Sequence, residues 1–482
     1  MTTNYETIIG LEVHLQLNTK SKLFCGCSTK FGEEPNANTC PVCLGMPGTL
    51  PVINERAVEY ALMACRATHC KINQYNKFDR KNYYYPDLPK GYQISQFDLP
   101  IGFDGSVTIE TEDGYKDIGL TRIHLEEDAG KLIHAGSVAD SDHSLVDFNR
   151  GGVPLIEIVS EPDMRTPAEA KAYLDALKQI MLYLDISDCN MEEGSLRCDA
   201  NVSVRPEGQE EFGVKVEVKN MNSFKAVENA LTFEVKRQKK MLENDEVISQ
   251  ETRSWDDTSN QTVLMRGKEE ADDYRYFPEP DLMPLEISDE WIKETDDSLP
   301  ELPLAKKERF IEGYELPEYD AEVLTDDFKL ANLFEETVQN YSEPKEVSNW
   351  LMGEFLKLIN EEGISPDQSK INGANLASLL KLIDDGTISS KIAKDIFEDM
   401  FKTGRDPEAI VEEKGLTQIS DEDKLVEIIN NILDENQDVV EEIQGGNERP
   451  VGFLVGQVMK ETRGKANPQL ANKLIREEVA KR

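Results

Sequence analysis

The chain has 482 residues, 53 basic against 93 acidic side chains, and a formal charge of −40. That length exceeds one ordinary hydrophobic core, so two or three domains are expected. The charge excludes general polyanion binding and leaves nucleic acid to a local basic patch or a metal ion.

No apolar run reaches the length of a membrane span, and MTTNYETIIG lacks the features of a signal peptide. The expected compartment is the cytoplasm, with no membrane partner. The 8 cysteines are then thiols or metal ligands rather than disulfides.

The first pattern is IIGLEVHLQL, Ile8 to Leu17. Read as a strand, it puts Leu11, Val13, Leu15 and Leu17 on one face and Gly10, Glu12, His14 and Gln16 on the other. Next comes KLFCGCSTKFGEEPNANTCPVCLG, with Cys25, Cys27, Cys40 and Cys43 as two close pairs. Four soft ligands in a polar, turn-rich loop fit a closed tetrahedral zinc site, although C-x-C is one residue tighter than the common spacing. Buried free thiols or a redox C-x-x-C are the alternatives. Cys65, Cys70, Cys189 and Cys198 show no such pairing and are expected in or near the core.

The stretch KFDRKNYYYPDLPKGYQISQFDLPIG gathers Arg80, Lys81, Lys90 and four tyrosines. Basic residues among aromatics can hold phosphates and stack on a base. A structural loop with wedged tyrosines would look the same. Strands are expected at Ser106–Glu112, Ile118–Glu126, Leu145–Phe148 and Val153–Val159. In them GLTRIHLEEDAGK carries His124, Glu126, Glu127 and Asp128, and VPLIEIVSEPD sets Glu157 in an apolar run, where an unpaired carboxylate is costly. Thr166-Pro167-Ala168-Glu169 reads as a capping box opening a helix, its stripe Ala170, Tyr173, Leu174, Leu177, Met181 and Leu184. EEGSLRCDANVSV alternates Arg197, Asp199, Asn201 and Ser203 against Leu196, Cys198, Ala200, Val202 and Val204. KVEVKN repeats the design with Lys215, Glu217 and Lys219, and a helix follows from Phe224 to Leu242.

The fold class is therefore α+β, with a mixed sheet over residues 1–292. Strand signals then stop. Helical spacing runs through 293–406, and a last small helical unit occupies 407–482. Acidic residues crowd Ser420 to Glu442. From Val451 on the sign reverses, with seven basic residues against three acidic ones.

A solvated polar face explains any one of these strands. Several faces that concentrate Glu, Asp, His and Arg suit a hard cation such as magnesium, which usually joins carboxylates to phosphates and so points to a nucleotide. Neither a Walker A motif nor G-x-G-x-x-G is present.

These stretches, with MEEGSLRCDANVSVR, the KN-M-NSF turn, DDYRYFPEPDL, SNWLMGEFL, GFLVGQVMKETRGKANPQL and LIREEVAKR, resemble the B subunit of the heterotrimeric aspartyl/glutamyl-tRNA(Asn/Gln) amidotransferase. The resemblance spans essentially the whole chain. It implies a cradle domain with a kinase-like site, a helical domain, and a tail domain that reads tRNA; the basic residues Lys460, Arg463, Lys465 and Arg476 of that tail are the expected contacts. It implies ATP-dependent amidation of misacylated Glu-tRNA(Gln) or Asp-tRNA(Asn). Ammonia would come from the amidase subunit, which the small third subunit ties to this chain. This sequence has no amidase Ser-Lys signature of its own.

Carried over residue by residue, Glu12, His14, Glu126, Glu127, Glu157 and Asp199 fall in the motifs lining the reaction site. Of these, Glu12, His14, Glu126 and Glu157 are the expected magnesium ligands. Arg80, Lys81 and Arg197 are the expected phosphate partners for ATP, and the cysteine quartet is a structural zinc site. Two rivals stay open: a non-catalytic, zinc-stapled tRNA-binding scaffold whose acidic faces meet solvent, and a stand-alone ATP-grasp-like ligase.

Overall fold

A computed structural model describes residues 4–134, 143–267, 274–416, 422–462 and 466–482. The chain forms two compact units, Met1–Leu302 and Pro303–Arg482.

The first unit is built on a nine-stranded sheet. In chain order its strands are β1 (Tyr5–Gln16), β2 (Lys71–Ile72), β3 (Gly102–Thr111), β4 (Gly114–Glu127), β5 (Pro154–Ser160), β6 (Leu196–Pro206), β7 (Val216–Lys219), β8 (Glu251–Asp256) and β9 (Gln261–Gly267). Across the sheet they stand β9-β8-β7-β6-β1-β5-β4-β3-β2. Neighbours are antiparallel except β7 and β8, which are parallel. A parallel pair needs a long crossover, and α3 (Phe224–Glu243) supplies it.

Alternation in β1 works as its sequence dictates. Ile9, Leu11, Val13 and Leu15 are 0% to 1% exposed and join one core with α1 (Glu55–Ala67), α2 (Pro167–Tyr183) and α3. Burying each such side chain is worth about 1.5–3 kcal/mol, so a one-residue slip of β1 would forfeit them all. α2 starts where its signal lies: the Thr166 hydroxyl accepts from the Glu169 amide at 3.1 Å. The Glu169 carboxylate reaches back to the Arg165 amide at 2.8 Å, one residue before the cap. Gly102 lets α1 lie close to the sheet, since a Cβ there would stand 2.4 Å from the Cys65 sulfur. Cys65, Cys70, Cys189 and Cys198 are all buried, as expected of core thiols.

The strand expected near Leu145–Phe148 forms at Ser144–Asp147, but outside the main sheet, paired with Lys131–His134. A three-stranded sheet orders Phe277–Pro278, Asp79–Asn82 and Tyr92–Ser95. Helix α4 (Asp289–Ser298) is tied to α1 by an Arg66–Asp296 ion pair at 2.6 Å.

The second unit is helical throughout its described residues apart from loops. One core gathers apolar residues from Phe310 to Val411, and another those from Leu425 to Val479. The helix Pro407–Lys414, which the sequence groups with the tail, gives Ile410 and Val411 to the first of these cores.

Candidate active site

The polar face of the sheet converges on one row. β1 pairs His14 with Arg197 of β6 and with Glu157 of β5, and Glu157 in turn pairs with His124 of β4. Directly paired residues of antiparallel strands share a face, so four adjacent strands each deliver one charged side chain to the same line. Glu126, two residues past His124, falls on that face too.

The contacts are close. His14 Nε2 lies 3.2 Å from Glu157 Oε2 and 3.8 Å from Glu126 Oε1. His124 Nε2 lies 3.5 Å from Glu126 Oε2 and 3.6 Å from Glu157 Oε2. Glu126, Glu157 and His124 are buried, at 2%, 6% and 3% exposure. A solvated acidic face, as the scaffold reading requires, is therefore not what β4 and β5 present.

Burial alone would raise both carboxyls. For Glu126, the hydrogen bond from His124 and the charge of Lys81 reverse it; for Glu157, the charges of His124, His14 and Lys81 do so and hold it well below the usual range. Burial likewise works against a charged His14, and the Glu157 and Glu126 carboxylates outweigh it, so its pKa is raised.

His14, Glu126 and Glu157 each offer a ligand atom within 4.8 Å of the others. Octahedral magnesium at about 2.1 Å per ligand sets neighbouring donors roughly 3.0 Å apart. Two ionised carboxylates and an imidazole near that spacing fit the ion in charge and reach.

Lys81 faces this group. Its ammonium stands 4.9 Å from the Tyr274 ring and 5.9 Å from that of Tyr83. Burial would lower its pKa, but Glu126, Tyr276 and Glu157 hold it above the ordinary value. Arg197 gives Nη2 to Asp128 Oδ1 at 2.9 Å, while its buried Nε has no hydrogen-bond partner among the described residues. An orphaned cationic donor beside a carboxylate pair suits a phosphate oxygen.

Glu12 and Asp199 pair across β1 and β6 in the adjoining row. Glu12 is not in the three-ligand group: Oε1 accepts from Asn201 Nδ2 at 2.8 Å, and the Asn201 side-chain carbonyl oxygen is buried without a donor among the described residues. Asp199 is bonded by Lys219, which also reaches Glu217 at 3.0 Å. Glu12 and Asn201 border a cavity of about 220 Å³ with Val159, Ser203, Phe212 and Lys215.

Two expected residues are placed elsewhere. Glu127 follows Glu126 in the same strand, so alternation sends it to the opposite face. There it bonds Lys90 and accepts from the Ile94 amide at 2.9 Å. Arg80 is not free for phosphate. Its guanidinium forks onto Glu279 at 2.6 and 2.7 Å and stacks on Tyr92 at 4.3 Å. The Glu279 side chain is 1% exposed and that of Arg80 19%. Breaking such a pair strands a buried charge, so Glu279→Gln should lower first-unit stability by about 3 kcal/mol in denaturant melts. It should leave the KM for ATP within about twofold; a large KM change at unchanged stability would return Arg80 to the phosphates.

The cysteine quartet comes together as its spacing implies, with the four sulfurs within 4.8 Å of one another. Cys40 and Cys43 sulfurs are 3.9 Å apart, and tetrahedral zinc at about 2.3 Å per sulfur requires about 3.8 Å. The Cys40 amide points at Cys43 Sγ at 3.1 Å. Contact with Cys25, that amide and nearby Lys22 pull the Cys43 thiol down to about 4. Lys22, 1% exposed, sets its ammonium 3.7 Å from Cys43 Sγ and donates to the Phe148 carbonyl at 3.1 Å. A tetrathiolate zinc centre would be dianionic, and the buried cation beside Cys43 would offset that charge. Lys22 had no spacing signal in the sequence. Arg122 did: it shares the alternate positions of His124 and Glu126, and its Nη2 lies 3.7 Å from Glu157 Oε1.

In the tail, Lys460 lies in the last turn of the helix Val451–Glu461. Arg476 bonds Glu448 at 2.9 Å and lines a groove of about 620 Å³ with Gly452, Asn472 and Lys473. Arg463 and Lys465 lie outside the described residues. Among those residues no helix is long and apolar enough to cross a membrane.

Comparison with known proteins converges on one group. Residues 7–293 match the family described as the GatB/GatE catalytic domain, and residues 332–479 match the GatB domain. Over 477 residues the chain is 59% identical to the B subunit of the aspartyl/glutamyl-tRNA(Asn/Gln) amidotransferase from Caldanaerobacter subterraneus, covering 99% of this chain and 100% of that protein. The proteins of the same name from Carboxydothermus hydrogenoformans and Clostridium botulinum are 56% identical over 477 residues and 53% over 479. Each comparison covers 99% of this chain, and 99% and 100% of the respective relative.

Proposed function

This chain belongs to the family of B subunits of the aspartyl/glutamyl-tRNA(Asn/Gln) amidotransferase, and from that premise we propose that its sheet face activates the side-chain carboxylate of a misacylated tRNA. The enzyme it serves is an ATP-dependent, glutamine-dependent ligase that turns Glu-tRNA(Gln), Asp-tRNA(Asn) or both into the amides. The observation that carries the reading is the buried group of His14, Glu126 and Glu157, drawn from three adjacent strands and faced by Lys81.

The chemistry needs such a group. Ammonia cannot displace oxide from a carboxylate. Transfer of the γ-phosphoryl group of ATP to one carboxylate oxygen makes phosphate the leaving group. Ammonia then attacks the carbonyl carbon, the bond to the phosphorylated oxygen breaks, and nitrogen gives up a proton. Charge on the moving phosphoryl group must be met by fixed cations. Lys81 and the unpartnered Nε of Arg197 serve that purpose. A magnesium ion held by His14, Glu126 and Glu157 supplies further neutralisation when bound.

Glu12, Asp199 and the free carbonyl oxygen of Asn201 form an acceptor-rich row beside this group. We assign them to the incoming ammonia, with Glu12 taking the departing proton. Glu127, engaged with Lys90, supports the wall between this site and the zinc loop.

Ammonia reaches the chain from the amidase subunit, which the small third subunit bridges to it. The tail approaches tRNA through Lys460, Arg463, Lys465 and Arg476, and the tRNA substrate places the reaction in the cytoplasm. The test is to assemble the three subunits with misacylated tRNA and follow ADP and amide together. Amide forming without ATP, or ATP cleaved without regard to misacylated tRNA, would overturn the reading.

A further inference from the structure

Three consecutive residues leave the small sheet toward the site, and each makes a different contact. The Ser95 hydroxyl donates to Glu126 Oε2 at 3.1 Å. The Gln96 side chain, 2% exposed, accepts from the Leu125 amide at 3.0 Å and from the Ile101 amide at 3.1 Å, and donates to Asn76 at 2.7 Å. The Phe97 amide donates to the buried Asp79 carboxylate at 3.2 Å. Phe97 is thus fixed at its backbone, and two residues of extended chain put it about 7 Å from the Glu126 contact.

Its ring has nothing to do with the core. Phe97 is 50% exposed. It lies flat on Tyr276, with centroids 4.1 Å apart and planes 9° from parallel, the one parallel stack among the described residues. Tyr276 belongs to the site's electrostatic neighbourhood: burial raises its phenol, and Lys81, Glu126 and Glu157 all act on it. The rings continue inward, with Tyr274 6.1 Å from Tyr276 and Tyr83 5.8 Å from Tyr274, ending around Lys81. A rigid, half-exposed aromatic plane backed by a second ring, at the end of a row that leads to a phosphate-seeking cation, is what an unpaired nucleobase stacks on. No glycine-rich nucleotide motif in the sequence provides another place for one.

We infer that Phe97, backed by Tyr276, is the stacking surface for an adenine base brought to this site. The inference rests on the proposed function, in which two adenines arrive: that of ATP and the 3′-terminal adenosine of tRNA. Both offer the same π face, and the experiment tells them apart.

Phe97→Leu, Phe97→Tyr and Phe97→Trp are made in the assembled heterotrimeric enzyme. The KM values for ATP and for misacylated tRNA are measured separately. Losing one base–aromatic stack raises KM roughly 5- to 160-fold. Phe97→Leu is expected to do this for one of the two substrates with kcat at saturation nearly unchanged, and Phe97→Tyr to restore it. Whichever KM moves identifies the adenine. Phe97→Trp adds a readout without turnover: ATP or tRNA should quench the new indole emission. If Phe97→Leu leaves both KM values within twofold, or no ligand quenches Phe97→Trp, the assignment is wrong. Weakened assembly of the heterotrimer with both KM values unchanged would make Phe97 an interface residue and also overturn it. Quenching by ATP in an enzyme that never couples ATP cleavage to amide would instead sink the proposed function and leave the stacking surface standing.

Discussion

Glu157→Gln is expected to lower ATP-dependent amide formation by at least about 100-fold while glutamine hydrolysis by the partner amidase persists. The substitution keeps shape and removes one charge. That charge touches His14 at 3.2 Å and His124 at 3.6 Å, and Arg122 reaches it at 3.7 Å. Without it the three-ligand group has one carboxylate left, and the two imidazoles, Lys81 and Arg122 lose one of the negative charges that compensate them. His14→Ala removes the imidazole of the same group and should lose as much. Added ammonium should rescue neither variant, because activation is the missing step. Glu12→Gln should behave differently. Its carboxylate stands outside the ligand group, so amide formation should fall further than ATP cleavage. Equal losses of both would put Glu12 with the metal ligands after all.

Cys43→Ser is expected to release zinc and to lower the melting temperature of the first unit by about 5 °C or more. Cys43 is the sulfur most committed to its surroundings, bonded by the Cys40 amide and approached by the buried ammonium of Lys22. Removing it opens the tetrahedron and leaves Lys22 buried beside neutral thiols, which is costly. The damage should stay near the loop. Lys90 and Glu127 line the cavity next to Cys25 and Cys43, so the ATP-dependent step should slow modestly rather than vanish. Elemental analysis of the purified protein and a thermal melt check both parts. Wild-type protein without zinc, its four thiols free, would remove the idea.

What the sequence made legible was local. Two close cysteine pairs within nineteen positions, Cys25 to Cys43, are enough to bring four sulfurs together, because the loop between them only has to close. Alternation in β1 told which residues face the core and which face the site. The same rule, applied one residue further in HLEED, separates Glu126 from Glu127.

Alternation cannot say which strands are neighbours. His14, His124, Glu157 and Arg197 meet only because β6, β1, β5 and β4 lie side by side, an order set by long-range packing and not by spacing. Arg80 misleads for a related reason. Its partner Glu279 comes from 199 residues away, so an arginine that looks free in its own loop is spent on a buried carboxylate. Phe97 stands out only once Tyr276, far along the chain, is seen to back it.

The central claim is that the substrate carboxylate gives one of its own oxygens to the phosphate that leaves. The direct test uses tRNA misacylated with glutamate labelled with oxygen-18 in its side-chain carboxylate, incubated with ATP, glutamine and the assembled enzyme. Mass analysis of the inorganic phosphate should find one labelled oxygen for each amide formed, with ADP unlabelled. Glu157→Gln should release almost no labelled phosphate. Amide formed at the normal rate with no label in phosphate, or with the label in AMP, would contradict phosphoryl transfer to the carboxylate at this site.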